Sequence, residues 1–218
     1  MNATLLALMR SHKLVFTASL CCCAAGALWG QEADNLVPAA RTSSVAVPWR
    51  PLSTDERVQW YLDRTTGTES VLRGVALAGF ATWRDTPSDW NRDAGGYSAR
   101  FASRHARITI SNSVQLGMGF LLKDDPRYHR APEKGVGGRL KNALVSTVTA
   151  RDASGRLTPA YSRFAGIGVS NVIAKTWLPP SCNTWSDVGL RSGAQLGGQV
   201  GFNLLREFWP DIKRKFKK

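Results

Sequence analysis

Four glycines near the C-terminal end of the chain, Gly189, Gly193, Gly197 and Gly201, recur at intervals of four residues. At about 100° per residue they fall on one side of an α-helix. Each interior glycine costs a helix about 1 kcal/mol relative to alanine, so a regular series of them needs a compensating use. We predict close helix–helix packing, as in a glycine zipper, either within the chain or between copies in a homo-oligomer.

A second series of small residues has the same spacing and lies in an apolar run between Pro159 and Pro179. Its members are Ser162, Gly166, Ser170 and Ala174. The two series could therefore pack on each other. Residues 139–150, which precede Pro159, also have a helical period. It places five residues on one face: Leu140, Ala143, Leu144, Thr147 and Val148.

Helix-start signals occur twice in the first half of the chain. Ser53 and Glu56 have the spacing of a capping box, in which each side chain bonds a free backbone amide of the other residue. Thr66 and Glu69 repeat that spacing ahead of an apolar run over residues 71–83. The two successive helix starts favour the α class.

The sequence thus predicts an all-α fold, with a single domain of about five or six helices over residues 51–210. Residues 107–120 do not fit this scheme, because apolar and polar side chains alternate there as in a β-strand. An outer-membrane β-barrel acting as a pore is therefore the alternative. The helical prediction is favoured because the apolar segments are longer than the roughly 9 to 11 residues of a membrane strand.

The N-terminal region has the layout of a secretory signal. Arg10 and Lys13 precede an uncharged apolar run over residues 14–28, and the run contains the small residues expected at a cleavage site. We predict a signal peptide at residues 1–27 and a mobile leader at residues 28–50. The exported chain would be periplasmic or associated with the outer membrane. It would retain Cys182 alone, which excludes an internal disulfide.

Residues 123–130 carry the densest group of chemically active side chains: Asp124, Asp125, Arg127 and His129. Carboxylates near a histidine can hold a metal or share acid and base roles, which would make the chain an envelope hydrolase or a metal-dependent enzyme. Local hydrogen bonding beside Pro126 explains the same residues without catalysis. We predict the latter, with no catalytic residue, no metal and no cofactor.

The last eight residues, 211–218, form a basic tail. Its cations are Lys213, Arg214, Lys215, Lys217 and Lys218. Ile212 and Phe216 lie about one helical turn apart among them, so the tail is a candidate for binding an anionic membrane surface. The formal net charge of +13 also indicates anionic neighbours. Nucleic acid is not expected as a partner, because the chain is predicted to be exported and no aromatic residues are interleaved as a stacking platform.

Three motifs carry a resemblance to other proteins: LLKDDPRY at residues 121–128, YSR at residues 161–163 and EFWPDI at residues 207–212. They resemble a family of uncharacterised exported bacterial proteins, and the likeness spans about residues 50–215. The resemblance implies export and a single domain, but no activity and no catalytic residue. We therefore expect an exported, non-catalytic structural or binding protein of the bacterial cell envelope.

Overall fold

The computed structural model describes residues 50–131 and 135–216. Its α-helices are α1 (Thr54–Thr66), α2 (Thr68–Trp83), α3 (Ala94–Leu122), α4 (Val136–Val148), α5 (Tyr161–Ile173) and α6 (Trp185–Phe216). A short antiparallel hairpin, β1 (Thr149–Arg151) and β2 (Leu157–Pro159), joins α4 to α5. The all-α prediction is confirmed. The predicted signal peptide and all but the last residue of the predicted leader lie outside the described residues.

Helix α3 is the centre of one half of the bundle, where it packs against α1, α2 and α5. Helix α6 packs against α5 and α4. Hydrogen bonds from Arg139 to Asp211 and from Asn203 to Thr147 show that α4 and α6 run antiparallel. The space enclosed by α1, α2, α3, α5 and α6 contains the candidate site.

The capping signals predicted the first helix start correctly and the second one incorrectly. Ser53 caps α1, and both hydrogen bonds of its capping box with Glu56 are present. Gly67 then ends α1 and precedes α2 without a side-chain cap. The predicted Thr66 cap is wrong because Thr66 stays in the last turn of α1, where its hydroxyl donates to the carbonyl of Leu62 at 3.0 Å.

The strand alternative for residues 107–120 is wrong, since these residues lie within α3. Asp93 caps the start of this helix by accepting a hydrogen bond from the amide of Gly96 at 2.7 Å. The alternation misleads because α3 buries polar residues, including Ser103, Ser111 and Asn112, as well as two of its glycines. An apolar pattern therefore does not mark its inner face.

The two series of small residues have different environments. All four members of the α5 series are buried. A Cβ added at Gly166 would lie 2.5 Å from the carbonyl oxygen of Ser111, so α5 packs closely against α3 at this point. The predicted pairing of this series with the glycines of α6 is wrong.

Among the described residues, the glycine face of α6 does not pack as predicted. Gly189, Gly193 and Gly197 are exposed, and Gly201 is half-buried. A Cβ added at Gly189 or Gly193 would meet no atom within 4 Å. The reason is the rotation of α6, which turns Val188, Asn203 and Glu207 inward instead. Packing of this face between copies of the chain stays a prediction.

Polar side chains fill much of the interior. The largest fully buried side chains include Asn171, Asn203, Thr147 and Ser111, whereas the buried apolar residues are mostly alanines. The amides have partners: Asn203 donates to the hydroxyl of Thr147 at 3.0 Å, and Asn112 donates to that of Thr65 at 3.0 Å. Buried amides of this kind are stable only when they are hydrogen-bonded.

Helix α4 illustrates how this polar interior changes the expected orientation of a helix. Ala143 and Thr147 are buried, whereas Leu140, Leu144 and Val148 are exposed. The predicted face therefore exists, but its small members point inward and its large apolar members point outward.

The predicted basic tail is not separate from the helical domain. Helix α6 continues through Pro210 to Phe216, so Lys213, Arg214 and Lys215 form its last turn. The ion pair between Arg139 and Asp211, at 2.5 Å, holds this end of α6 against α4. Lys217 and Lys218 lie outside the described residues. No helix of the described ranges has both the length and the apolar character required to cross a bilayer.

Candidate functional site

The polar cluster predicted at residues 124–129 is real, but its carboxylates face different neighbours. Asp124 is buried and accepts a hydrogen bond from the Ser162 hydroxyl at 2.5 Å. Arg57, also buried, donates to the backbone carbonyl of Asp124 at 2.6 Å. Asp124 therefore joins the end of α3 to α1 and α5.

The carboxylate of Asp125 has its partners within its own segment of the chain. Arg127 donates to its carboxylate from the backbone amide at 2.9 Å and from the guanidinium at 2.8 Å, and His129 Nε2 lies 3.4 Å away. Burial alone would raise the pKa of Asp125, but the hydrogen bonds from His129 and Arg127 outweigh it and lower that pKa. The backbone amide of Asp125 bonds the carbonyl of Arg151 at 2.7 Å. These hydrogen bonds tie Asp125 to its own segment and to β1, as expected of a residue with a structural role.

The three resemblance motifs meet in the fold through these contacts. Ser162 of the YSR motif bonds Asp124 of LLKDDPRY. Tyr128 of LLKDDPRY donates to the buried carboxylate of Glu207, the first residue of EFWPDI, at 2.5 Å. Asn142 donates to the same carboxylate at 2.7 Å. The motifs therefore hold α3, α5 and α6 together.

An enzyme site at this cluster would need a second reactive group beside it. The other histidine of the described residues, His105, stacks on Phe101 within α3, with ring centroids 6.0 Å apart. At 1.5 Å per residue it lies about 26 Å along the helix from the end of α3, where the cluster begins. Among the described residues, no group of three or more His, Cys, Asp or Glu side chains could hold a metal ion.

A cavity of about 320 Å³ lies between α1, α2, α3, α5 and α6. Two carboxylates line it, Asp63 and Glu69. The cationic residues of its wall are Arg64, Arg73, Arg104, Arg107, Arg163 and Arg191. We call this space the arginine cavity. Its size is within the range of small-molecule sites.

The arginines at the cavity form two groups. Within each group the positive charges repel one another. Burial, together with the neighbouring cations Arg206 and Arg73, lowers the pKa of Arg64 to about 9. Burial likewise lowers the pKa of Arg107 to about 10, together with Arg104 and Arg191. A guanidinium remains protonated in a protein, so these shifts express a free-energy cost of burying clustered cations. An anion in the cavity would reduce that cost.

The protein satisfies only some of these guanidinium groups. Arg73 pairs with Glu69 and lies over the ring of Phe202 at 4.0 Å. Arg163 donates to the carbonyls of Ser146 and Thr147, which makes it part of the framework.

Other guanidinium N–H groups of the residues that line the cavity lack partners. The buried Nε atoms of Arg107 and Arg191, and Nη2 of Arg191, have no hydrogen-bond partner among the described residues. Buried donors of this kind are rare and indicate a ligand, an ion or water. Gln195 and Gln199 of α6 add neutral hydrogen-bonding groups to the cavity wall.

Sequence reasoning missed this cavity, because its arginines come from five helices that are far apart in the chain. The only local signal is the pair Arg104 and Arg107, whose spacing places both on one face of α3. The other cations become neighbours only through the packing of α1, α2 and α6 around α3. No protein-family model, curated protein or solved structure matches the chain, so the candidate site rests on this geometry alone.

Proposed function

We propose that the chain is an exported, non-catalytic binding protein of the bacterial cell envelope that holds a small anionic ligand in the arginine cavity. The observation that carries the proposal is the imbalance of charge around one partly open cavity, which is lined by six arginines and two carboxylates. Arg163 is buried and the other five arginines are half-buried. Cations removed from water are ordinarily paired, so an excess of them needs a counter-charge.

The ligand chemistry follows from the donors. Guanidinium groups bind carboxylate and phosphate oxygens through two parallel hydrogen bonds. The residues of α6 that line the cavity extend from Arg191 to Phe202, about 16 Å along the helix. We therefore favour a ligand with more than one phosphate or carboxylate group over a monovalent ion.

The absence of a suitable reactive group favours binding over catalysis. The cavity wall contains arginines, amides and hydroxyls but no histidine or cysteine. The carboxylate of Glu69 pairs with Arg73 and is not positioned as a base. The other carboxylate, Asp63, accepts a hydrogen bond from Gln59 at 2.8 Å, so both carboxylates of the wall already have partners.

Thermal and urea unfolding of the full chain with inorganic pyrophosphate test the proposal. At an anion concentration 100 times the dissociation constant, the free energy of unfolding should rise by about 2.7 kcal/mol. Sodium chloride at equal ionic strength should give little of this gain, because it screens the arginines without bridging them.

The variant Arg107→Met separates a binding arginine from a structural one. It should abolish most of the gain from pyrophosphate while raising the free energy of unfolding of the free protein by about 1 to 3 kcal/mol, because a buried, repelled cation is removed. Arg92→Gln, which removes an exposed arginine of the Asp85 ion pair, is the matched control. Loss of stability in Arg107→Met with an unchanged response to pyrophosphate would contradict the proposal.

A further inference from the structure

A second surface of the molecule lies away from the arginine cavity, on the outer side of α4. The outward side chains are Val136, Leu140, Leu144 and Val148, whose exposed fractions are 67%, 43%, 47% and 48%. They repeat every four residues and therefore form one ridge along the helix, about 18 Å long. We call it the α4 ridge.

Cations lie along the α4 ridge, and its own segment contains no acidic residue; one of these cations, Arg139, pairs with Asp211 and Glu207 of α6. Residues 135–151 contain Arg139, Lys141 and Arg151 but no Asp or Glu. Lys141 is exposed beside the ridge. Because α4 and α6 run antiparallel, the exposed Arg214 and Lys215 lie at the Val136 end of the ridge. Phe216, 87% exposed, adds a large apolar side chain at this end.

We propose that the α4 ridge and the last turn of α6 together dock on an anionic lipid surface, with α4 lying in the plane of the membrane. An apolar face flanked by lysine and arginine is the pattern of helices that bind in the headgroup region. Each exposed cation near such a surface adds attraction that salt screens.

Charge complementarity favours this partner over a second copy of the chain. A two-fold pairing of ridges would bring Lys141 of both copies to one interface, and residues 135–151 offer no carboxylate to compensate. A lipid surface supplies negative headgroups and an apolar layer at the same time.

Flotation of the full chain with lipid vesicles tests the proposal. Binding should be at least ten times stronger to vesicles of phosphatidylcholine with about 30% phosphatidylglycerol than to phosphatidylcholine alone, and should fall in 0.5 M salt, a concentration at which the Debye length is only a few ångströms. The double variant Leu140→Ser/Leu144→Ser should lose at least ten-fold in binding. Lys141→Gln/Arg214→Gln/Lys215→Gln should lose the preference for the anionic lipid.

The control variant is Leu62→Ser/Val75→Ser, which removes two apolar side chains of similar exposure, 44% and 43%, from α1 and α2. It should bind like the unmodified chain. Equal losses in the control and the ridge variant, or no loss in either, would overturn the proposal. So would a dimer, measured by light scattering, that the ridge variant alone dissociates without any effect on vesicle binding.

Discussion

Glu207 is a buried carboxylate of α6 on which hydrogen bonds from α4 and from the segment after α3 converge. It accepts hydrogen bonds from the Tyr128 hydroxyl, the Ala131 amide at 2.9 Å and the Asn142 amide. Arg139 lies 3.7 Å from its other oxygen. Burial by itself raises the pKa of Glu207, but these donors outweigh it, so that the pKa lies below its ordinary value of 4.5.

The lowered pKa makes the contribution of Glu207 dependent on pH with a defined sign. Because the folded state holds the proton less tightly than the unfolded state, the stabilisation is complete above the ordinary pKa. It is lost as the pH falls through the lowered one. Glu207→Gln should therefore cost about 2 to 3 kcal/mol at pH 7, and the difference from the unmodified chain should shrink in acid. Urea unfolding between pH 3 and pH 7 measures both.

Asp55→Asn is the control for this measurement, because Asp55 is an exposed residue in the first turn of α1. Its effect should stay below about 0.5 kcal/mol, the size of an exposed helix-dipole interaction. If Glu207→Gln lowered the free energy of unfolding no more than the control does, the hydrogen bonds to Glu207 would contribute little to stability.

At the scale of a helix, α5 contains two glycines in contrasting positions. Gly166 faces α3, where a Cβ would lie 2.5 Å from a backbone oxygen, whereas a Cβ at Gly168 would meet no atom within 4 Å. The helical propensity gained by a change to alanine is the same at both sites, about 1 kcal/mol. Only the packing differs.

We accordingly expect Gly168→Ala to raise the free energy of unfolding by about 0.5 to 1 kcal/mol. Gly166→Ala should lower it by about 1 to 3 kcal/mol, since α5 must move away from α3. Thermal unfolding of the two variants measures the contrast. A gain at both positions would mean that α3 and α5 are less closely packed than described.

The whole molecule exposes many of its large apolar side chains and buries polar ones. Trp83, Leu121, Trp185 and Phe216 are each more than two-thirds exposed, while asparagines occupy the interior. A single soluble chain ordinarily exposes only small apolar patches, and larger ones mark interaction surfaces. This distribution of exposed apolar side chains is consistent with a protein that binds a partner surface.

A hydrophobic dye provides a test at this scale. The folded chain should bind 8-anilinonaphthalene-1-sulfonate and enhance its fluorescence at temperatures where circular dichroism still reports full helix content. Anionic vesicles should reduce that signal if they cover the same surface. Fluorescence that rises only on unfolding would show that the apolar side chains are already covered in the free protein.

Local chemistry was sufficient to predict part of this fold. The capping box of Ser53 and Glu56 located the start of α1, because it depends only on residues within one helical turn. The spacing of Ser162, Gly166, Ser170 and Ala174 indicated a closely packed helix. The first three are buried on α5, and Ala174 is buried directly after its end. Such signals are short-range and survive in any tertiary context.

Which face each helix buries, and which charges meet, was decided only by the tertiary structure. The glycines of α6 and the leucines of α4 form regular faces that the sequence predicts, yet both faces point outward in the described residues. The arginine cavity combines residues of five helices, whose proximity depends on how α1, α2, α5 and α6 surround α3. Periodicity defines a face, but burial is set by the free energy of the whole assembly of helices, and here hydrogen-bonded polar side chains fill the interior.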